Sequence, residues 1–237
     1  MSQHQVLDSL AHRDLRVRTD AGAELGDAVM ACLVMPAEFR QAQAHYPIVF
    51  RRDLESGTFS ALALFGFDNG ENLFLEGDRW DAAWKPLAQA VQPFLIGRAE
   101  PGGPATQVHV DLSSPRLVTD GAGGVRLFDA AGHASPYLED IAQKLGDLDA
   151  GYRASAAFFA ALERHRLLEP FSLDVPLADG TQHQLVGFHI IDEDRLRALD
   201  AAALGELHAD GHLLPLFMAL ASVGRFSDLI ARKNRRA

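Results

Sequence analysis

One cysteine, Cys32, stands in 237 residues, which excludes an intrachain disulfide and any cysteine-based zinc site. That scarcity points to a reducing compartment. The N-terminal stretch MSQHQVLDSLAHRDLRVRTD lacks the cationic start and apolar run of a secretory signal, and residues 28–35 are too short an apolar run to span a bilayer. The expected location is cytoplasmic, without membrane insertion, and non-classical export stays open. Basic side chains are outnumbered, 22 Lys and Arg against 32 Asp and Glu, and the formal charge of −10 repels polyphosphate, so nucleic acid is not an expected partner. The clustered cations Arg225, Arg232, Lys233, Arg235 and Arg236 are expected to complement the dipole at the end of a last helix. GxGxxG, the phosphate-cradling loop with its Lys and Ser/Thr, and GxSxG are all missing. The Gly-rich stretch 120–124 therefore reads as a hairpin turn rather than a nucleotide site. Hydrolase chemistry has no support either, since Cys32 lies in an apolar, strand-like run that leaves a thiol inert.

What is present is an ordinary globular composition, 48% hydrophobic and 23% charged, in a chain long enough for one sizeable core. The expectation is a single domain over 1–237, open to division into a β-rich lobe, 1–130, and a helix-rich lobe, 131–237. Strands are predicted at 15–18, 28–35, 48–52, 59–67 and 72–75, with Asp68-Asn69-Gly70 turning between the last two. Pro36 suits the first turn of a short helix over 37–44. Asp78 can cap a helix over 79–93, in which Trp80, Trp84, Leu87 and Val91 form one apolar stripe. A loop over 97–106, strands at 107–112, 117–119 and 125–128, and a helix over 137–168 with breaks at Gly146 and Gly151 follow. Strands 171–177 and 182–191 flank Ala178-Asp179-Gly180 as a hairpin. Asp192 then caps a helix to about 207, and a last helix covers 213–233. The fold class is α+β: a mostly antiparallel sheet in the N-terminal half with helices packed on it, and a helix-rich C-terminal half containing a β-hairpin.

Several short segments carry a family resemblance. They are HYP at His45–Pro47, ENLF at Glu71–Phe74 with Trp80, PFxIG at Pro93–Gly97, FDxxG at Phe128–Gly132, LxGFxxIDExxL at Leu185–Leu196 and LHxxGxL at Leu207–Leu213. In this order they resemble the SapC family of bacterial proteins, from about His45 to the C-terminus. The resemblance implies an accessory protein: the family name comes from surface-layer loci, and members occur near genes for outer-membrane receptors and flavin-dependent halogenase-like enzymes. It carries over no catalytic residues. A peptide-transporter permease of the same name is excluded, because this sequence has no run of about 20 apolar residues.

Among residues able to do chemistry, His109 and Asp111 sit at i and i+2 of a predicted strand, which puts imidazole and carboxylate on one face, as an iron site of two histidines and one carboxylate requires. His183 or His189 would supply a third ligand, and Arg195 an acid-binding cation for an oxygenase using 2-oxoglutarate. The predicted helix 137–168 opposes that architecture. His208 and His212 have the spacing of two ligands on one helix face, with Glu206 and Asp210 nearby, but Gly211 more naturally ends the helix in a left-handed turn. His45 reads as a polar residue at a strand start. Asp68, Glu71, Glu76, Asp78 and Asp81 lack calcium-loop spacing and read as a solvated rim.

Three readings follow. The leading one is a non-catalytic accessory protein, without cofactor, engaging a protein partner or a small ligand in a groove between the two halves. By the family context that partner is a halogenase-like enzyme or an outer-membrane receptor system, and a homodimer is open. Its binding residues would be Phe67, Phe74, Trp80, Trp84 and His45, within an aromatic region that also includes Phe65. The alternative is a metal-dependent enzyme, with Fe or another divalent metal, built on His109, Asp111 and His208. A structural role at the cell surface is a third reading, weakened by the missing export signal.

Overall fold

The computed structural model describes residues 3–97, 107–119, 123–176 and 182–236. The N-terminal elements are β1 (His4–Val6), β2 (Arg16–Val17), β3 (Ala31–Leu33), α1 (Phe39–Ala42), β4 (Ile48–Arg52) and β5 (Phe59–Leu64). They continue with β6 (Leu75–Glu76), β7 (Arg79–Trp80), α2 (Leu87–Ala90), β8 (Phe94–Gly97), β9 (Gln107–Asp111), β10 (Leu117–Val118) and β11 (Val125–Arg126). The rest is α3 (Pro136–Arg164), β12 (Leu168–Pro176), β13 (Gln182–Ile191), α4 (Glu193–Arg197), α5 (Ala201–Ala209), α6 (Leu213–Ser222) and α7 (Arg225–Asn234). With 35% helix, 26% strand and antiparallel sheets, the fold is α+β, as the sequence led us to expect.

Contacts divide the chain into two compact units that are interleaved along it. The first holds Met1–Ala28, Leu75–Asp81 and Leu87–Ala150; the second holds Val29–Phe74, Ala82–Pro86 and Gly151–Ala237. These are not the segments 1–130 and 131–237.

The first unit contains two three-stranded sheets, ordered β1-β9-β8 and β10-β2-β11, and the β6-β7 hairpin. Its core joins Val17, Phe94, Val110 and Leu127 to Leu138, Ile141 and Leu145 of α3, whose spacing presents one helix face. Beneath the surface lies an ion pair: Asp27 and Arg116 are 0% and 5% exposed, with Arg116 Nη2 2.7 Å from Asp27 Oδ2.

The second unit is built on a five-stranded antiparallel sheet, ordered β12-β13-β4-β5-β3. Its β12 edge carries Glu169, Pro170, Asp174 and Pro176, which disfavour pairing with a further strand. Pairing shifts register between Phe171 and Leu173, and opposite that shift Gly187 takes φ 84°, the left-handed backbone that suits glycine at a bulge. Phe39 packs edge-on to Phe50 and Phe158 at ring-centroid distances of 6.3 and 5.9 Å.

Several expectations are corrected. The helix over 79–93 does not form: Gly77, at φ 64°, and Asp78 turn the β6-β7 hairpin, and only Leu87–Ala90 is helical. Pro86 explains this, since inside such a helix it would remove a hydrogen bond and clash with the preceding turn. Residues 72–74 are not a strand, although Leu73 N donates to Phe65 O at 2.8 Å. The expected breaks at Gly146 and Gly151 are absent, because α3 is continuous. The helix expected from Asp192 to about 207 is two, the second capped by Asp200, whose carboxylate accepts from Ala203 N at 2.8 Å. The last helix is likewise two, α6 and α7, separated at Val223 and Gly224. Most of the loop at 97–106 and the turns at 120–124 and 178–180 lie outside the described residues, in whole or in part.

Candidate functional site

The aromatic region is mostly core. Tyr46, fully buried, meets Phe74 at 4.8 Å and Phe65 at 5.0 Å edge-on, with Trp84 tilted at 6.3 Å, and its hydroxyl donates to the Trp84 carbonyl. Phe67 and Phe74 are buried, and Arg232 places its guanidinium carbon 4.3 Å from the Phe74 ring centroid. Trp80 instead pairs with Leu75 in the β6-β7 hairpin of the first unit, so Trp80 and Trp84 share no helical stripe. His45, half-buried, lies 5.8 Å from Tyr46. Burial holds its pKa below the ordinary 6.5, helped by the charges of Arg225 and Arg232.

The ENLF segment is clasped by the basic end of α7. Lys233 Nζ lies 2.7 Å from both Asp68 Oδ2 and Glu71 Oε1. His183 Nδ1 is 3.1 Å from Asp68 Oδ1, while Phe67 N donates to Glu71 Oε2 at 2.9 Å. Arg236 donates to the carbonyls of Asn72 and Leu73 at 3.0 and 3.1 Å. Asp68 and Glu71 are thus partners in an ion-pair network, where the sequence suggested a solvated rim. Of the tail cations, Lys233 reaches across the chain to these carboxylates and Arg236 to the neighbouring carbonyls, beyond the helix-end role expected.

The histidine candidates are engaged elsewhere. The His109 ring lies against Gly97, so closely that a Cβ there would stand 1.9 Å from Nε2. Asp111 accepts hydrogen bonds from Gln3 N at 3.0 Å, Ser113 N at 3.0 Å and Ser113 Oγ at 2.6 Å. His208 belongs to the second unit, in the last turn of α5. Among the described residues no group of three or more His, Cys, Asp or Glu is placed to hold a metal ion. His189 packs edge-on to Phe59 at 5.0 Å, and burial, with the charge of Arg52, lowers its pKa.

An open groove of about 560 Å³ lies within the second unit, a size typical of ligand sites. Its walls come from Pro36 and Arg40 before and in α1, from Gly151, Ser155 and Phe158 of α3, and from Asp210, Gly211, His212, Leu214, Pro215 and Met218. The α3 sequence over 151–161, GYRASAAFFAA, makes this space: Gly151 lets the helix approach Met35, whose Cβ would be 3.1 Å from an added Cβ. The small residues that follow leave room on either side. A second cavity of about 370 Å³, lined by Leu33, Phe59, Tyr152 and Phe159, shares Ser155 with the first. Ser155 Oγ donates to the Tyr152 carbonyl at 2.6 Å.

The LHxxGxL segment shapes the far wall. Gly211, at φ 74°, donates its N–H to His208 O at 3.0 Å, and His212 donates to Leu207 O at 2.8 Å, the paired bonds that close a helix end. This is the left-handed turn expected at Gly211. It sets His212 5.7 Å from Phe158, edge-on, and launches α6. Leu216 and Ala219 of α6 are buried, whereas Leu214 and Phe217 are 54% and 48% exposed. By length and composition alone Leu213–Asn234 could cross a membrane, since a window within it reaches a mean hydropathy of 1.5, although it also holds Arg225, Asp228, Arg232 and Lys233. It is divided into α6 and α7, with Leu216, Ala219, Phe226 and Leu229 in the core.

The second unit of this α+β protein thus carries an open, largely apolar groove, with Leu214 and Phe217 exposed on α6. A family model for SapC matches residues 7–229, and the chain belongs to the SapC family. No curated protein and no solved structure matches it.

Proposed function

We propose that this SapC-family protein is a non-catalytic accessory protein that engages a polypeptide partner through the groove and the adjoining face of α6. The observation that carries this reading is the exposure of Leu214 and Phe217, 54% and 48%, one helical turn apart on α6, with Leu214 also lining the groove. Two large apolar side chains left in water on one face are what an interaction site presents. Halogenase-like enzymes and outer-membrane receptor systems, found near the family's genes, are the partners to try first. Phe67 and Phe74 are buried and support the fold of this unit rather than its surface.

The test is co-purification of the protein from cells carrying those neighbouring genes, with and without Leu214→Asp and Phe217→Asp together. A neighbour-encoded protein retained by wild type and lost by the double variant, at an unchanged Tm, is the expected result. Retention of the same protein by the double variant would place binding elsewhere.

A further inference from the structure

The groove carries two charges of opposite sign on different elements. Arg40 comes from α1, and Asp210 from the turn that closes α5; both side chains are exposed, and neither takes part in an ion pair or side-chain hydrogen bond among the described residues. Asp210 differs in this from Asp27, Asp53, Asp68, Asp111 and Asp200, whose carboxylates all accept hydrogen bonds. Between these elements the lining is mostly apolar, with Phe158, Leu214, Pro215 and Met218 beside the polar Gln41, Ser155 and His212. A ligand matching this set has a carboxylate for Arg40, an ammonium group for Asp210 and an apolar body.

We propose that the groove binds a short apolar peptide with both termini free. A single amino acid has the right charges but would leave most of a 560 Å³ space to water. Two or three apolar residues fill more of it and separate the charges along a backbone. Arg40 offers a planar fork suited to a carboxylate. Specificity then comes from the ends of the ligand, and affinity from burial of its side chains against Phe158 and Met218. This rests on the groove being a binding surface, as proposed above, and names what the groove itself accepts.

The test crosses ligand capping with groove variants. Isothermal titration with tri-leucine, N-acetyl-tri-leucine and tri-leucine amide is run on wild type, Arg40→Gln and Asp210→Asn. Tri-leucine is expected to bind wild type about fivefold more tightly than either capped form, the scale of one exposed charge pair. Arg40→Gln should erase the penalty for amidation alone, and Asp210→Asn the penalty for acetylation alone. Ala154→Trp, which fills the groove from α3, should abolish binding while the fold is retained by circular dichroism. Equal binding of free and capped peptides, penalties unchanged in the variants, or no binding of tri-leucine overturns the proposal. A neighbour-encoded partner lost on changing Leu214 and Phe217 while tri-leucine does not bind leaves the docking surface standing and removes only the peptide ligand.

Discussion

The guanidinium of Arg116 lies 2.7 Å from the Asp27 carboxylate with both groups out of solvent. Asp27 also accepts from Gln89 Nε2 at 2.7 Å and Gly22 N at 3.0 Å, and Arg116 donates to the carbonyls of Arg18 and Asp20 at 3.3 and 3.0 Å. The pair ties the turn over 18–27 to the start of β10. Breaking it from one side strands a buried charge, so Asp27→Asn is expected to cost about 3–5 kcal/mol. Urea denaturation measures this. A loss below about 1 kcal/mol would show that the pair contributes little beyond what an amide supplies.

Gly97 and His109 make a second sharp prediction. Because a Cβ at 97 would meet the imidazole at 1.9 Å, Gly97→Ala is expected to destabilise by about 1–3 kcal/mol, the cost of overpacking. His109→Ala in the same chain should recover most of that loss. Two single costs that simply add in the double variant would deny the contact.

Stability is expected to fall as pH drops below about 6.5. His45 and His189 both have folded pKa values below the ordinary 6.5, first through burial and then through nearby arginines. The unfolded chain therefore takes up protons on these rings before the folded chain does, and stability declines as pH falls through the unfolded value. His45→Gln and His189→Gln should each flatten the dependence of Tm on pH between 5 and 7. An unchanged slope in both would assign the acid loss to carboxylates such as Asp68, whose depressed pKa, due chiefly to its hydrogen bond from Lys233, acts at lower pH.

Local signals were readable in the sequence where backbone chemistry is local. The strand over 48–52 was found because an apolar run ends in two arginines, and the closing turn of α5 because Gly211 admits a left-handed conformation. The helix placed over 79–93 failed because the spacing of two tryptophans outweighed Pro86, which sits where a helix interior cannot hold it. Gly146 and Gly151 did not break α3, since each costs only about 1 kcal/mol and Ile141, Leu145, Phe158 and Leu162 are buried along the same helix. β1 was missed because all three of its residues are exposed and show no alternation. The groove was invisible for another reason: Arg40 and Ser155 belong to no motif, Asp210 is a variable position of LHxxGxL, and the three line one space only through tertiary packing. The engagement of Lys233 with Asp68 and Glu71 is likewise a long-range contact that no spacing announces.

The order of strands in the five-stranded sheet bears on how this protein is made. β4 has β5 as its neighbour almost at once, but its other edge waits for β13, and the two meet at Phe50 and His189. A nascent chain leaving the ribosome therefore carries an open strand edge from the time residue 52 emerges until the hairpin beyond α3 has been synthesised. Stalled or truncated products ending within α3 are expected to be sticky intermediates. Chaperone demand during synthesis should therefore concentrate on that interval.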